Sequence, residues 1–193
     1  MSRLFETLCV VDGEVKHLCF HTERVARSCT LSLGGYIDKI DLSGRGVFRL
    51  RVDYDTEIGF TGYSFAQYAP KLIRKVKVVN CNTICYESKY TDRVKLDELL
   101  RMKGGCDDIL ILKNGFVTDT SFTNIIFEKN GCWFTSDSPL LKGTCRAYLL
   151  AEDVVEECRI RGVDLDSYER FMLVNAMLPF DLARALPIDG IIF

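Results

Sequence analysis

The segment from residue 107 to residue 137, DDILILKNGFVTDTSFTNIIFEKNGCWFTSD, constrains the fold more than any other part of the sequence. It contains two Asn-Gly dipeptides, at residues 114–115 and 130–131, which separate three apolar stretches. Asn-Gly favours the positive φ angles that a two-residue hairpin turn requires. The spacing therefore predicts an antiparallel β-meander in this half of the chain.

The first part of the chain contains further strand patterns. The stretch LFETLCVVDGEVKHL predicts two strands joined at Asp12-Gly13, since Asp-Gly also suits a tight hairpin. GVFRLRVDYD and RKVKVVNC alternate between apolar and polar residues, as strands with one buried face do. Residues 1 to about 80 are therefore expected to form a small α/β unit.

A helix is predicted between the hairpin and the next strand, in HTERVARSCTLSLGG. Thr22 can cap its start and Gly34 can end it. Residues at helical spacing provide one apolar face: Val25, Cys29 and Leu33.

The stretch GTCRAYLLAEDVVEECRIRG, residues 143–162, has the clearest helical pattern in the sequence. Two arginines come late, and Gly162 stands just past the expected end. Its apolar face consists of Ala147, Leu150, Val154 and Cys158.

The remaining C-terminal residues, 168–193, predict a buried strand, a turn at Pro179, a short helix and a terminal strand. The fold class expected from these patterns is α+β. We expect two lobes, a small one formed by residues 1–80 and a larger one formed by residues 81–193.

Composition excludes several classes of function. The 193-residue chain has a formal net charge of −2 and no basic stripe or polybasic arm, so nucleic-acid and membrane binding are not expected. No apolar run approaches the roughly 20 residues of a bilayer span, which points to a cytoplasmic protein. The nine cysteines lack paired metal-ligand spacing and there are only two histidines, so no metal site is expected.

Four positions suggest a cofactor site when they are considered together. Lys89 lies between a strand-like run and a helical pattern, and Asp119 follows the first Asn-Gly turn by four residues. Thr144 opens the predicted second helix, whose free N–H groups suit a phosphate. Arg24, one turn into the first helix, has the planar donor groups of a phosphate clamp. A Schiff-base lysine, an acid for a pyridine nitrogen and a phosphate seat are the parts that a pyridoxal 5'-phosphate (PLP) enzyme needs.

The sequence resembles the fold-type IV PLP enzymes, the class IV aminotransferase family, over nearly its whole length. The motifs that carry the resemblance are FET, DG and HxxR within residues 5–24, KxxDR at 89–93, NGFVTDTSFTNIIF at 114–127, LLKGTCR at 140–146 and NAMLP at 175–179. The resemblance implies a two-lobed enzyme that holds PLP in the cleft between its lobes, acts on a small-molecule substrate and forms a homodimer.

Matched residue by residue, the resemblance implies that Lys89 is both the Schiff-base lysine and the catalytic base. Asp119 occupies the position at which relatives usually have glutamate, and pairs with the pyridine nitrogen. Arg24, Thr144 and Cys145 match the phosphate-binding residues. The turn containing Ala176 and Met177 matches the segment that closes the same pocket, and Asn124 matches a structural position beside it.

Within the family, the residues favour aminodeoxychorismate lyase, which converts 4-amino-4-deoxychorismate to p-aminobenzoate and pyruvate in folate biosynthesis. Branched-chain aminotransferases usually have tyrosine at the position of Val94, and the Arg-x-His pair of D-amino-acid aminotransferases is missing from TEIGFTGYSF. Asp92-Arg93 and NAMLP are similar to the lyases. Thr7 and Arg93 are candidate substrate contacts. A transaminase and a non-catalytic protein of the same fold stay open as alternatives.

Overall fold

The computed structural model describes residues 3–193 and has an α+β fold, as the sequence predicts. These residues form two compact units. Unit 1 comprises the described residues up to Pro70 together with Ser88–Asp92, and unit 2 comprises Lys71–Glu87 and Arg93–Phe193.

These units have different bounds from the lobes expected at 1–80 and 81–193. The strand Val76–Asn80 belongs to unit 2 because it pairs in parallel with Asp108–Lys113. Lys89 belongs to unit 1, because the backbone of Ser88–Asp92 bonds to the strand that begins at Arg3.

Unit 1 is a four-stranded antiparallel sheet, in the order β2-β1-β3-β4, with two helices. Its elements are β1 (Arg3–Val11), β2 (Glu14–Val15), α1 (Leu18–Ser28), α2 (Leu33–Ile37), β3 (Val47–Asp55) and β4 (Gly59–Gln67). The predicted hairpin between β1 and β2 is confirmed, with φ angles of 51° at Asp12 and 86° at Gly13. Leu4 and Leu8 of β1 pack against Val25 and Leu33 of the helices in one hydrophobic core.

The prediction of one helix from Thr22 to Gly34 is wrong. The N-cap of α1 is His17, five residues before Thr22, and Gly34 lies inside the separate helix α2. The chain leaves the helical conformation at Cys29, whose φ and ψ angles of −164° and 172° are extended. Val25 and Leu33 are both buried in the core as expected, but they lie on two helices.

Unit 2 contains two sheets and two helices. One sheet has the order β13-β5-β6-β7 and the other has the order β10-β9-β8-β11-β12. The elements are β5 (Val76–Asn80), α3 (Val94–Leu100), β6 (Asp108–Lys113), β7 (Phe116–Thr120), β8 (Asn124–Lys129), β9 (Cys132–Ser136), α4 (Thr144–Ala151), β10 (Glu156–Cys158), β11 (Arg170–Val174), β12 (Leu186–Pro187) and β13 (Ile191–Ile192).

The two Asn-Gly turns are confirmed, but the strands do not form one meander. Asn114 and Asn130 have φ angles of 53° and 52° and join the hairpins β6-β7 and β8-β9. The hairpins belong to different sheets. Between them, the hydroxyl groups of Thr120 and Thr123 lie 2.7 Å apart in a tight connection, at which the chain passes from one sheet to the other.

The prediction of a long helix over residues 143–162 is also wrong. α4 ends at Ala151, and Asp153 has a left-handed φ angle of 54°. Glu156–Cys158 then forms β10, which pairs in parallel with β9. β9 supplies hydrogen bonds to residues 156–158 that a longer helix would otherwise have made within itself. Helical periodicity in the sequence gives no information about this partner strand.

The strand, short helix and terminal strand predicted for the C-terminal residues are confirmed as β11, a short 3₁₀ turn at Leu182–Arg184 and β13. The turn expected at Pro179 instead lies at Ala176 and Met177. β8 and β11 are covered on both faces: Phe127 and Leu173 point into the core shared with β6 and β7, and Ile126 and Met172 pack against α4. No helix within residues 3–193 is long and apolar enough to cross a membrane.

Candidate active site

Lys89 lies beside the outer edge of β1 in unit 1. The N–H of Phe5 donates to the carbonyl of Lys89 at 3.0 Å, and the N–H of Thr91 donates to the carbonyl of Arg3 at 2.9 Å. The Lys89 segment thus continues the sheet past β1, which fixes its backbone. The Lys89 Nζ lies 4.8 Å from the centroid of the Phe5 ring.

Arg24 is fixed by a buried carboxylate, Glu6 of β1. Its Nε donates to Glu6 Oε1 at 2.8 Å and its Nη2 to Oε2 at 2.5 Å. The ring of His21, one turn earlier on α1, has its Nδ1 2.6 Å from the same Oε2. Glu6 and His21 are almost fully buried, with exposures of 0% and 1%. The Glu6 carboxylate therefore holds the Arg24 guanidinium in one orientation.

Glu6 is ionised in this environment. Burial alone would raise the pKa of Glu6, but the charge of Arg24 and the hydrogen bonds from His21 and Arg24 outweigh it and lower the pKa to about 2. Burial lowers the pKa of His21 more than its contact with Glu6 raises it. Since an ionised carboxylate only accepts hydrogen bonds, we assign the His21 proton to Nδ1.

Thr7 is partly buried on β1, directly opposite Arg51 of β3. Side chains alternate along a strand, so Thr7 lies on the same face as Phe5 and on the opposite face from Glu6. Of the predicted site residues, unit 1 thus contains Thr7, Arg24 and Lys89.

Asp119 is a buried acid on β7 of unit 2, 5% exposed. Its Oδ1 accepts a hydrogen bond from Asn124 Nδ2 at 2.7 Å, and its Oδ2 accepts one from the N–H of Leu141 at 2.8 Å. Asn124 Nδ2 also donates to the carbonyl of Leu141 at 2.9 Å. Asn124 therefore has the structural role that the sequence predicts, because it holds both Asp119 and the segment before α4.

The hydrogen-bond partners of Asp119 are neutral, whereas Glu6 has a charged partner in Arg24. Burial raises the pKa of Asp119 to about 6, although the hydrogen bonds from Leu141 and Asn124 and the charge of Arg146 lower it. Arg146 itself forms an ion pair with Glu157. Within residues 3–193, no lysine, arginine or histidine forms an ion pair with Asp119. The carboxylate group therefore suits a cationic partner.

The start of α4 lies beside the same asparagine. A Cβ atom on Gly143 would stand only 2.0 Å from Asn124 Oδ1, so this close approach requires glycine. Gly143 is the N-cap residue, and no side chain caps the helix. Because the first N–H groups of a helix have no acceptor within it, this end of α4 is suited to an anion.

Thr144 and Cys145 are the first two residues of α4, and both are 5% exposed. The Cys145 side chain packs in the core with Leu149 and Met172. Burial raises the pKa of its thiol to about 12. Cys145 can therefore contact an anion through its backbone N–H, but its side chain belongs to the core.

Ala176 and Met177 form a tight turn between Asn175 and Leu178, whose backbones bond to each other. The N–H of Met177 donates to Asn175 Oδ1 at 2.8 Å, so this group is already bonded within the turn. Asn175 Nδ2 donates to the carbonyl of Phe122 at 3.4 Å, which joins the turn to the connection between β7 and β8.

Arg93, at the start of α3, is bonded to the same connection. Its Nη2 donates to the carbonyl of Ser121 at 2.7 Å, and its Nη1 lies 3.5 Å from the Tyr86 hydroxyl. Unit 2 thus contains Arg93, Asp119, Thr144, Cys145, Ala176 and Met177.

Sequence reasoning missed Glu6 and the role of His21. A signal was present, because Leu4, Glu6 and Leu8 are every second residue of β1. They therefore lie on the same face of the strand, and Leu4 and Leu8 are buried. An acid on an apolar face needs a buried partner, and His21 and Arg24 supply two.

Comparison with known proteins identifies the family. A family model for amino-transferase class IV matches residues 74–181. An uncharacterized protein of Haemophilus influenzae (strain Rd) is 36% identical over 188 residues, which cover 92% of this chain and 98% of that protein. The chain therefore belongs to the class IV aminotransferase family, whose enzymes use PLP.

Solved structures agree with this assignment. A Haemophilus somnus 129pt protein with the provisional name 4-amino-4-deoxychorismate lyase is 35% identical, with a TM-score of 0.87 and coverage of 93% of this chain and 98% of that one. A hypothetical aminotransferase of Mycobacterium tuberculosis in its PLP-bound form is 16% identical, with a TM-score of 0.76 and coverage of 98% and 81%. The second likeness shows a shared fold.

The residues of unit 2 fit PLP chemically. An acid that lacks a cationic partner, Asp119, suits a protonated ring nitrogen, and the uncapped start of α4 suits a phosphate. Both features are joined through Asn124.

Proposed function

We propose that this protein is a PLP-dependent lyase that converts 4-amino-4-deoxychorismate to p-aminobenzoate and pyruvate. The observation that carries the PLP chemistry is Asp119, a buried carboxylic acid with neutral hydrogen-bond partners and a pKa raised to about 6. The lyase activity is supported by the similarity to the H. somnus protein over nearly the full length of both chains.

In this proposal, five groups of this chain hold the cofactor in addition to Lys89. Asp119 accepts a hydrogen bond from the ring nitrogen and keeps it protonated. The N–H groups of Thr144 and Cys145 bind the phosphate together with Arg24, whose orientation Glu6 fixes. The turn at Ala176 and Met177 closes the same pocket. When bound, PLP supplies an electron sink for the bonds to the carbon that bears the substrate amine.

Lys89 Nζ would hold the cofactor covalently, and as a free amine it would serve as the base. The freed Nζ then removes the proton from the amine-bearing carbon of the substrate. The carbon–oxygen bond to the enolpyruvyl group breaks, so the six-membered ring becomes aromatic. The departing oxygen keeps the electron pair of that bond, and the resulting enolate takes up a proton on carbon to become pyruvate.

Two side chains are proposed to contact the substrate. Thr7 offers a hydroxyl group on the face of β1 that carries Phe5. Arg93 offers those guanidinium donors that are not engaged with Ser121, Tyr86 or Asp97. We also propose that the protein is a cytoplasmic homodimer, as its family resemblance suggests.

Cofactor attachment is tested first, by the absorbance of the purified protein with PLP. We expect a visible band that disappears on borohydride treatment, with the reduced cofactor recovered on the peptide that contains Lys89. Lys89→Ala should lack the band. Lys95→Ala is the matched control, since Lys95 is an exposed lysine six residues further along, and should keep it. A trapped cofactor on another lysine would contradict the assignment.

Reaction type is tested with 4-amino-4-deoxychorismate in the absence of any keto acid. The lyase should release pyruvate and p-aminobenzoate in equal amounts. Release that depends on an added keto acid, with interconversion of the cofactor and its amine form, would instead indicate an aminotransferase. The description of the family favours this second candidate. PLP binding without turnover of either kind would indicate a non-catalytic protein.

A further inference from the structure

One face of the unit 1 sheet places charged residues around the Phe5 ring. Phe5 and Thr7 of β1 lie directly opposite Asp53 and Arg51 of β3. Since alternate residues of a strand share a face, these four side chains lie on the same side of the sheet. We call Phe5, Thr7, Arg51 and Asp53 the Phe5 face.

Two cations contact the same aromatic ring. The Arg51 Cζ lies 3.9 Å from the centroid of Phe5, and the Lys89 Nζ lies 4.8 Å from it. The Arg51 Cζ and the Lys89 Nζ are therefore separated by no more than the sum of these two distances. A cation over an aromatic face is attracted by the ring quadrupole, so Phe5 keeps both groups in place.

Asp53 fixes the orientation of Arg51. The Arg51 Nε lies 3.0 and 3.1 Å from the two Asp53 oxygens, and Nη2 lies 2.6 Å from Oδ1. A guanidinium group has five N–H bonds, and these contacts use two of them. Within residues 3–193, no other hydrogen-bond partner of the Arg51 guanidinium is found. The side chain is 35% exposed, so part of it is accessible from solution.

We infer that Arg51 binds a carboxylate group of the substrate and so selects amines that carry one. This inference rests on the proposed role of Lys89, because the substrate amine must react at the position of the Lys89 nitrogen. Amino acids and aminodeoxychorismate both carry a carboxylate a few bonds from that amine. Arginine is the side chain best suited to bind a carboxylate through two parallel hydrogen bonds.

Arg51 is better placed for this role than Arg93. Arg93 Nη2 is already bonded to the carbonyl of Ser121, whereas Arg51 is held by Asp53 at one edge and keeps its Nη1 edge available. The Thr7 hydroxyl, directly across the sheet from Arg51, is a second donor for the same carboxylate.

The test compares the binding of p-aminobenzoate and aniline, which differ only in the carboxylate, to the PLP-loaded protein by calorimetry. Alanine and ethylamine form a second such pair. We expect the wild-type protein to bind the carboxylated member of a pair about 10- to 100-fold more tightly, as a charge-assisted bidentate contact provides. Arg51→Gln should lose most of that preference and keep its visible cofactor band.

Arg49→Gln is the matched control. Arg49 lies on the same strand and the same face, two residues from Arg51 and opposite Cys9, and is exposed. This variant should keep the full preference. If Arg51→Gln fails to fold or to load PLP, Arg51→Lys provides the test. It keeps the charge but loses the planar fork, and we expect a partial loss of preference.

The inference would be overturned by an unchanged preference in Arg51→Gln, or in Arg51→Lys where that variant is tested instead. A wild-type protein that shows no preference in either pair would also overturn it. Failure of the proposed function is a separate outcome. A wild-type protein that does not release pyruvate from aminodeoxychorismate, but prefers carboxylated amines through Arg51, would reject the lyase activity and support the inference.

Discussion

Glu6 in unit 1 and Asp119 in unit 2 are both buried carboxylic acids, yet their pKa values move in opposite directions. Burial raises both values, but Arg24 and His21 bring the pKa of Glu6 down to about 2. Asp119 receives hydrogen bonds from an amide and a backbone N–H, and its pKa rises to about 6. The comparison shows that the charge of the hydrogen-bond partners, more than the depth of burial, decides how a buried acid behaves.

The two acids consequently have different uses. Glu6 is already neutralised by this chain's own residues, so its function is to hold Arg24 and His21. Asp119 is still without a cation and has room for one, since a carboxylate can accept about four hydrogen bonds. We attribute a structural function to the first acid and a cofactor-binding function to the second.

Replacing Glu6 should have the largest effect. Glu6→Gln removes the charge that compensates Arg24 in a buried position, so we expect unfolding to become about 3 to 5 kcal/mol easier. Chemical denaturation of the apoprotein measures this change. Glu14→Gln is the control, because the pair of Glu14 with Lys16 has a similar distance of 2.9 Å but is exposed. Equal effects of the two variants would show that Glu6 has no special structural role.

Replacing Asp119 should affect catalysis. In the proposed site, Asp119→Asn removes the charge that would keep the cofactor ring nitrogen protonated, and we expect turnover to fall by roughly 100- to 1,000-fold. Steady-state kinetics of the PLP-loaded variant measures the loss. Asp119→Glu keeps a carboxylate and should recover part of the activity. If Asp119→Asn retains wild-type turnover, the cofactor-binding function that distinguishes Asp119 from Glu6 would be contradicted.

The pH dependence of stability should differ between the two acids. The pKa of Glu6 is lowered, so its stabilising contribution is complete above pH 4.5 and is lost as the pH falls toward 2. The pKa of Asp119 is raised, so the folded state binds its proton more tightly and stability should fall by about 3 kcal/mol as the pH rises from about 4 to 6.

Unfolding of the apoprotein from pH 4 to 6 separates these contributions. Asp119→Asn should remove the decrease over this range, whereas Glu6→Gln should keep it. PLP should reduce the decrease, because the protonated ring nitrogen stabilises the ionised form of Asp119. A decrease that survives in Asp119→Asn would have to come from another group.

The smallest effect is expected at Cys145. Its thiol is buried in the core of unit 2, so Cys145→Ala should cost about 1 kcal/mol of stability through lost packing. PLP affinity should stay within about twofold, since only the backbone N–H is proposed to contact the phosphate. Calorimetric titration with PLP measures the affinity, with exposed Cys19→Ala as the control. A tenfold loss of affinity would instead place the thiol in the phosphate site.

The parts of the fold that local chemistry determines could be predicted from the sequence. The hairpins at Asp12-Gly13, Asn114-Gly115 and Asn130-Gly131 follow from residues that tolerate positive φ angles. The end of α4 could not be predicted in the same way. It depends on the pairing of β10 with β9, and a window of helical periodicity contains no information about a partner strand.

The same distinction applies to the site. Lys89, Asp119 and Arg24 could be proposed as site residues because their motifs keep a characteristic order and spacing. The contacts of Glu6 with residues 15 and 18 positions away form only when α1 packs on β1. Likewise, Arg51 and Lys89 contact the same Phe5 ring only in the folded chain.

The most direct test of the central claim is the protonation state of the cofactor ring nitrogen, measured by ¹⁵N NMR on protein loaded with ring-labelled PLP. We predict a protonated nitrogen at neutral pH in the wild-type protein and an unprotonated one in Asp119→Asn. An unprotonated nitrogen in the wild-type protein, or the same signal in both proteins, would contradict the assignment of Asp119 as its partner.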